Sequence, residues 1–163
     1  ILLHNHDDLI QLYKLMPIIK QVDVHKAFNS LGFPIGGQSG WPNLSLSSIK
    51  VGTSGLLISG KYTGEPFAYM SYDTFTDNFS CEFDMENRFN FKLRTERHKR
   101  NIFLNLKLYF ENYDDFKIYP NYINNFLLAS NGGKSNPLEI NMFVKKFLEN
   151  FMENTVCPLM VLY

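Results

Sequence analysis

The chain has 163 residues, of which 45% are apolar, 15% aromatic and 20% charged, with sixteen Lys and Arg balanced by sixteen Asp and Glu. That length suits a single domain over residues 1–163 with a core of its own. A net charge of zero excludes a uniformly basic nucleic-acid binder and an acidic disordered tail, and two cysteines exclude a disulfide framework, in keeping with a reducing, cytoplasmic setting.

The opening Ile1-Leu2-Leu3-His4 lacks the cationic region and long apolar stretch of a signal peptide and reads as a trimmed or processed end. From Asp7 to Leu31, Leu9, Leu12, Leu15 or Met16, Ile19 and Val22 recur at helical spacing. Pro17 interrupts them, so two N-terminal helices are predicted, the second stopped by Gly32. Residues 32–55 hold six glycines and five serines around Trp41 and Pro42, which predicts a long loop with a short strand near Leu44 to Val51.

Period-two alternation follows. Phe79, Cys81 and Phe83 alternate with Ser80, Glu82 and Asp84; Phe89, Phe91 and Leu93 alternate with Arg88, Asn90, Lys92 and Arg94; and Leu104, Leu106, Leu108 and Phe110 alternate with Asn105, Lys107, Tyr109 and Glu111. Each pattern predicts a strand with one wet face. Weaker strands are expected at Leu56–Tyr62, Pro66–Asp73 and Phe116–Tyr119.

Two helices are expected after the strands. Tyr122–Ser130 runs into Asn131-Gly132-Gly133, a C-cap composition. Asn136-Pro137-Leu138-Glu139 places an N-cap Asn, a first-position Pro and a third-position Glu in capping-box order, and Ile140, Phe143, Val144, Phe147, Leu148, Phe151 and Met152 give the helix one apolar side against Asn141, Lys145, Glu149 and Glu153. The apolar residues 156–163 are expected to add a last strand or tuck under a helix. The fold class is α+β: an antiparallel meander of five to seven strands, N-terminal helices, and C-terminal helices packed on one face. A helix-grip arrangement is the alternative, because a helix held away from a curved sheet would enclose a ligand cavity.

Charge placement is the most unusual local feature. Arg88, Lys92, Arg94, Arg97, Lys99 and Arg100 lie within thirteen residues, opposed only by Glu96, so the segment carries +5 and the remainder −5. With Phe91 paired to Leu106, residues 94–101 become the tip of a basic hairpin that includes His98, and Arg88 faces Tyr109 while Asn90 faces Lys107. Guanidinium groups suit phosphates and carboxylates alike, and Arg and Tyr anchor protein interfaces. The candidate partner-binding residues are therefore Arg88, Lys92, Arg94, Arg97, His98, Lys99, Arg100, Lys107 and Tyr109. The plainer account is a solvated hairpin whose cations discourage edge pairing.

Catalytic patterns are missing. Cys81 alternates inward with phenylalanines, and Cys157 sits in the apolar tail. Gly132-Gly133-Lys134-Ser135 has Leu128 where a phosphate-binding loop needs Gly, and it follows a predicted helix rather than a strand. His4, His6 and His25 with Asp7 and Asp8 do not make a convincing metal set, and His98 lacks an acid or base companion. No enzyme, metal or cofactor is expected. The reading is a non-catalytic binding protein, of inhibitor or immunity type, whose partner is another protein; alternatives are a carrier of a small hydrophobic molecule and a nucleic-acid binder or nuclease using residues 88–100. No apolar run reaches the roughly 18 residues of a membrane span, and the oligomeric state is not legible.

The fifteen residues Tyr119 to Gly133, with Pro120, Tyr122, Phe126-Leu127 and Asn131-Gly132-Gly133, resemble a signature segment of SUKH-type immunity proteins. In that family the motif comes early and strands follow it, whereas here the predicted strands precede it. No site residue is carried over.

Overall fold

Alternation of apolar and polar residues builds the first sheet. In the computed structural model, which describes residues 10, 11, 33–35, 42–72 and 78–156, the strands are β1 (Phe33–Ile35), β2 (Leu44–Gly52), β3 (Gly55–Tyr62), β4 (Tyr69–Tyr72), β5 (Phe79–Phe83) and β6 (Arg88–Leu93). They pair antiparallel in the order β1-β2-β3-β6-β5-β4. Strand β6 shows the logic most plainly: Phe89, Phe91 and Leu93 are buried, while Arg88, Asn90 and Lys92 are exposed. In β2 the register slips between Leu46 and Ser48, so that Ile49 faces the core in step with Leu44 and Leu46.

The second sheet comprises β7 (Glu96–His98), β8 (Asn101–Asn105), β9 (Tyr122–Ile123), β10 (Phe126–Asn131) and β11 (Lys134–Ser135). Strand β10 is its hub, pairing with β8, β9 and β11. Arg94 and Thr95 carry the chain from β6 to β7, from one sheet to the other.

Helix α1 (Pro137–Phe151) crosses the apolar side. Phe143, Phe147 and Phe151 recur every four residues, so they form one stripe, with neighbouring rings 6.2 Å apart. Phe91 meets Phe147 at 5.5 Å and Phe151 at 5.0 Å, both edge-on, and Tyr109 and Phe110 pack on Phe143. Each buried ring contributes about 1.5–3 kcal/mol. Leu127 and Ala129 of β10 join the same core.

The antiparallel α+β character is as expected, but a six-stranded and a five-stranded sheet stand where one meander of five to seven strands was expected, and several elements differ. The strand expected near Leu44 to Val51 is present as the nine-residue β2, longer than a short strand within the expected loop at 32–55, with its serines on the wet side. The strand expected at Leu104–Phe110 stops at Asn105, where a 3-10 turn (Leu106–Leu108) rotates Tyr109 and Phe110 inward. Phe91 consequently lies between Ile58 and Cys81, not opposite Leu106. The strand expected at Phe116–Tyr119 is replaced by a 3-10 turn over Asp114–Phe116. Tyr122–Ser130 is not a helix: Asn124 and Asn125 adopt positive φ and fold β9 back on β10. Helix α1 starts where its caps predicted, with different wiring. Asn136 Nδ2 donates to the Leu128 carbonyl at 2.7 Å, and Asn121 Nδ2 donates to Glu139 Oε1 at 2.6 Å. The Asn136 N–H donates to Ala129, so Glu139 is free to tie the helix to the β9–β10 region instead of closing a capping box. Apart from Ile10 and Gln11, which are helical, the expected N-terminal helices lie outside the described residues, as does the terminal segment 157–163. Among the described residues no helix is long and apolar enough to cross a membrane.

Candidate functional site

Two hairpin turns, drawn from distant parts of the chain, meet at one end of the second sheet. Lys99, at φ 56, and Arg100 form the turn between β7 and β8, and Arg97 Nε donates to the Lys99 carbonyl at 2.9 Å. Gly132 and Gly133, at φ 59 and 93, form the two-residue turn between β10 and β11, a conformation in which glycine is strongly favoured at both positions. The Gly132 N–H donates to Asn101 Oδ1 at 3.0 Å and joins the two turns.

The joined tips expose Arg97, His98, Lys99 and Arg100 on one side and Lys134 on the other. Among the described residues no carboxylate pairs with Arg97, Lys99, Arg100 or Lys134. Glu96, the nearest acid in sequence, accepts from Asn105 Nδ2 at 2.9 Å. The tips therefore present four cations that no carboxylate among the described residues compensates, together with His98, on short, cross-braced turns.

Three other cations, Arg88, Lys117 and Lys146, are engaged by acids. Arg88 Nε contacts Asp84 Oδ2 at 2.8 Å and its Nη2 contacts Glu86 Oε2 at 2.8 Å. Hydrogen bonding from Arg88 holds the Asp84 carboxyl below its usual range. Lys117 pairs with Asp114, and Lys146 pairs with Asp115 while lying over the Phe116 ring at 5.5 Å.

The predicted partner-binding residues are thus divided among several places. Arg97, His98, Lys99 and Arg100 come together at the tips, and exposed Arg94 lies in the link before them. Arg88 and Lys92 point from the outer face of the first sheet, where Arg88 neighbours Lys61 and not Tyr109, and Asn90 lies between Ser59 and Glu82 rather than facing Lys107. Lys92 borders a solvent-open hollow of about 280 Å³ with Ser48, Lys50, Leu57, Ser80 and Glu82. Lys107 borders a separate one of about 780 Å³ with Glu111, Lys146, Glu149 and Glu153. Tyr109 is removed from the surface altogether: it is 8% exposed, and burial raises its phenol pKa above the usual tyrosine value. Asn101 was expected in this tip, whereas Lys134 and Gly132 were not, although Asn-Gly-Gly is as good a hairpin-turn signal as a helix stop.

Cys81 has its thiol pushed up to about 12 by burial, which suppresses the reactive thiolate. Among the described residues no three His, Cys, Asp or Glu side chains gather to hold a metal ion. No protein-family model, no curated protein and no solved structure matches the chain. The fifteen-residue likeness to SUKH-type proteins falls on β9, β10 and their turns, where the sequence predicted a helix.

Proposed function

We propose that this chain is a non-catalytic cytoplasmic binding protein of inhibitor or immunity type, and that its joined hairpin tips grip an acidic surface on a protein partner. The observation that carries this reading is the Gly132–Asn101 hydrogen bond, which joins the turn before Lys134 to the Arg97–Arg100 turn, with no carboxylate paired to either among the described residues. Braced turns lose little freedom on docking, uncompensated cations speed encounter with an acidic surface, and arginine is enriched among interface anchors. A nucleic-acid binder usually extends its basic footprint beyond one loop cluster; here Arg88, Lys117 and Lys146 are held by acids, and Lys50, Lys61 and Lys92 belong to the outer face of the first sheet rather than to the tips. The aromatic rings interlocked between α1 and the first sheet favour surface recognition over a carried ligand.

The test is affinity capture from the native host with intact-mass readout, comparing wild type with the Arg97→Ser, Lys99→Ser, Arg100→Ser triple variant. A stoichiometric acidic protein that the triple variant loses, and that dissociates as salt rises, is the expected result. Equal recovery by the variant, or capture of RNA or DNA in place of protein, would overturn the reading.

A further inference from the structure

The outward face of the second sheet carries a patch of four apolar side chains where a wet sheet face is ordinarily polar. Register places Phe103 of β8 opposite Leu128 of β10, and Phe126 of β10 opposite Ile123 of β9. Their neighbours Leu104 and Leu127 point into the core, so these four side chains point away from it. Phe103, Phe126 and Leu128 are half-buried, Ile123 is 56% exposed, and the Phe103 and Phe126 rings meet edge-on at 6.4 Å. Along the same strands, His98 and Asn101 continue this face up to the basic tips.

Its polar members are satisfied. Glu96, paired in register with Phe103, accepts from Asn105, whose Oδ1 accepts from Asn125 Nδ2 at 3.3 Å. What is left is an aromatic and aliphatic centre with uncompensated cations at one end. That is the anatomy of a protein interface, with a dry centre and a charged rim, and a contiguous apolar patch of this kind marks an interaction surface.

We infer that this face is the dry centre of the interface proposed above, on which the inference rests, and that it takes an apolar segment of the partner followed by acidic residues. The charges select that occupant. Asp and Glu beyond the apolar stretch pair with Lys99, Arg100 and Lys134, whereas Arg97, in register with Ile102, belongs to the other face of the sheet. A second copy of this chain is disfavoured, because the carboxylate that this face itself carries, Glu96, is already engaged by Asn105 beside Asn125.

The probe is a phage-displayed library of random peptides selected on the immobilised full chain, with the best peptide resynthesised and its Kd measured by fluorescence anisotropy. Selected peptides are expected to join large apolar residues to Asp or Glu. Ile123→Glu, at an exposed position, and Ile123→Ser with Phe126→Ser should each weaken the peptide by about tenfold or more, while Lys61→Ser on the first sheet leaves it unchanged; circular dichroism confirms that each variant is folded. Selection without an apolar–acidic pattern, no selected peptide, or unchanged binding by both face variants overturns the inference. If the tip triple variant alone loses binding, the proposed function stands without this face; if neither set loses it, both fail. Concentration-dependent dimerisation in sedimentation velocity that Ile123→Glu abolishes would assign the face to a second copy and likewise overturn it.

Discussion

The Tyr109 hydroxyl lies 2.7 Å from the Arg94 carbonyl and 3.0 Å from that of Asn78, and the Arg94 N–H itself donates to Asn78 at 2.7 Å. Arg94 is where the chain leaves the first sheet for the second, so this one phenol ties the crossing to the core under α1. Tyr109→Phe keeps the ring against Phe143 and Phe147 and removes only that tie. The expected loss is about 1–2 kcal/mol, the worth of a buried hydrogen bond whose carbonyl partner is left behind, read as a lower urea midpoint at unchanged slope. A neutral result would mean that ring packing alone holds the crossing.

That tie also shows where the sequence was legible and where it was not. In β5 and β6 each inward residue is aromatic, Leu or Cys and each outward one polar, so period two reveals strand and face together. At Leu104–Phe110 the same alternation continues in sequence, yet the backbone turns at Leu106, because Tyr109 and Phe110 gain more from packing on α1 than from extending β8. Phe126-Leu127-Leu128-Ala129 carries good helix formers, and only its pairing with β8 and the left-handed Asn124 and Asn125 decide for a strand. Lys134 joins the basic tips for a similarly nonlocal reason: β10 must first lie beside β8.

Cys81 should make the fold sensitive to alkali. Its thiol rises from 9.0 to about 12 on folding because burial disfavours the thiolate. The folded chain therefore keeps a proton that the unfolded chain releases, so the contribution is full below pH 9 and is lost as pH rises towards 12. Tyr109, also raised by burial, adds a loss that begins above its unfolded value of 10. Unfolding of Cys81→Ala from pH 8 to 11 should give a lower plateau and a shallower fall than wild type. In a Cys157→Ser background, Cys81 should also resist alkylation at pH 8 until denaturant is added. An unchanged pH slope or rapid native labelling would contradict the burial argument.

Gly60 is required by its neighbours rather than by its own backbone angles. Phe89 is its register partner in β6, and a Cβ at Gly60 would run into the Ser45 carbonyl oxygen and lie 2.5 Å from the Phe89 ring. Gly60→Ala should lower stability by about 1–3 kcal/mol, the usual range for overpacking a filled core. Adding Phe89→Leu removes the ring conflict but not the carbonyl conflict. The double variant should consequently be less destabilised than the sum of the two singles, with a residual penalty from Ser45. Strict additivity in denaturant titrations would show that ring and glycine do not share the space.

Asn141 offers the converse case, a residue whose removal should help. The sequence pattern assigns it to the polar side of α1, but it is 0% exposed, and neither its Oδ1 nor its Nδ2 has a hydrogen-bond partner among the described residues. A buried amide without partners costs about 1–3 kcal/mol. Asn141→Leu, which removes both polar atoms and improves helix propensity, should raise the unfolding midpoint. Asn141→Asp keeps nearly the same shape but places a carboxylate where the amide is unsolvated, so it should be markedly destabilised at pH 7 and recover as acid protonates it. The two variants moving in opposite directions would establish that the site is dry and unpaired. A destabilised Leu variant beside a tolerated Asp variant would instead mean that the amide makes polar contacts and that α1 does not bury this position.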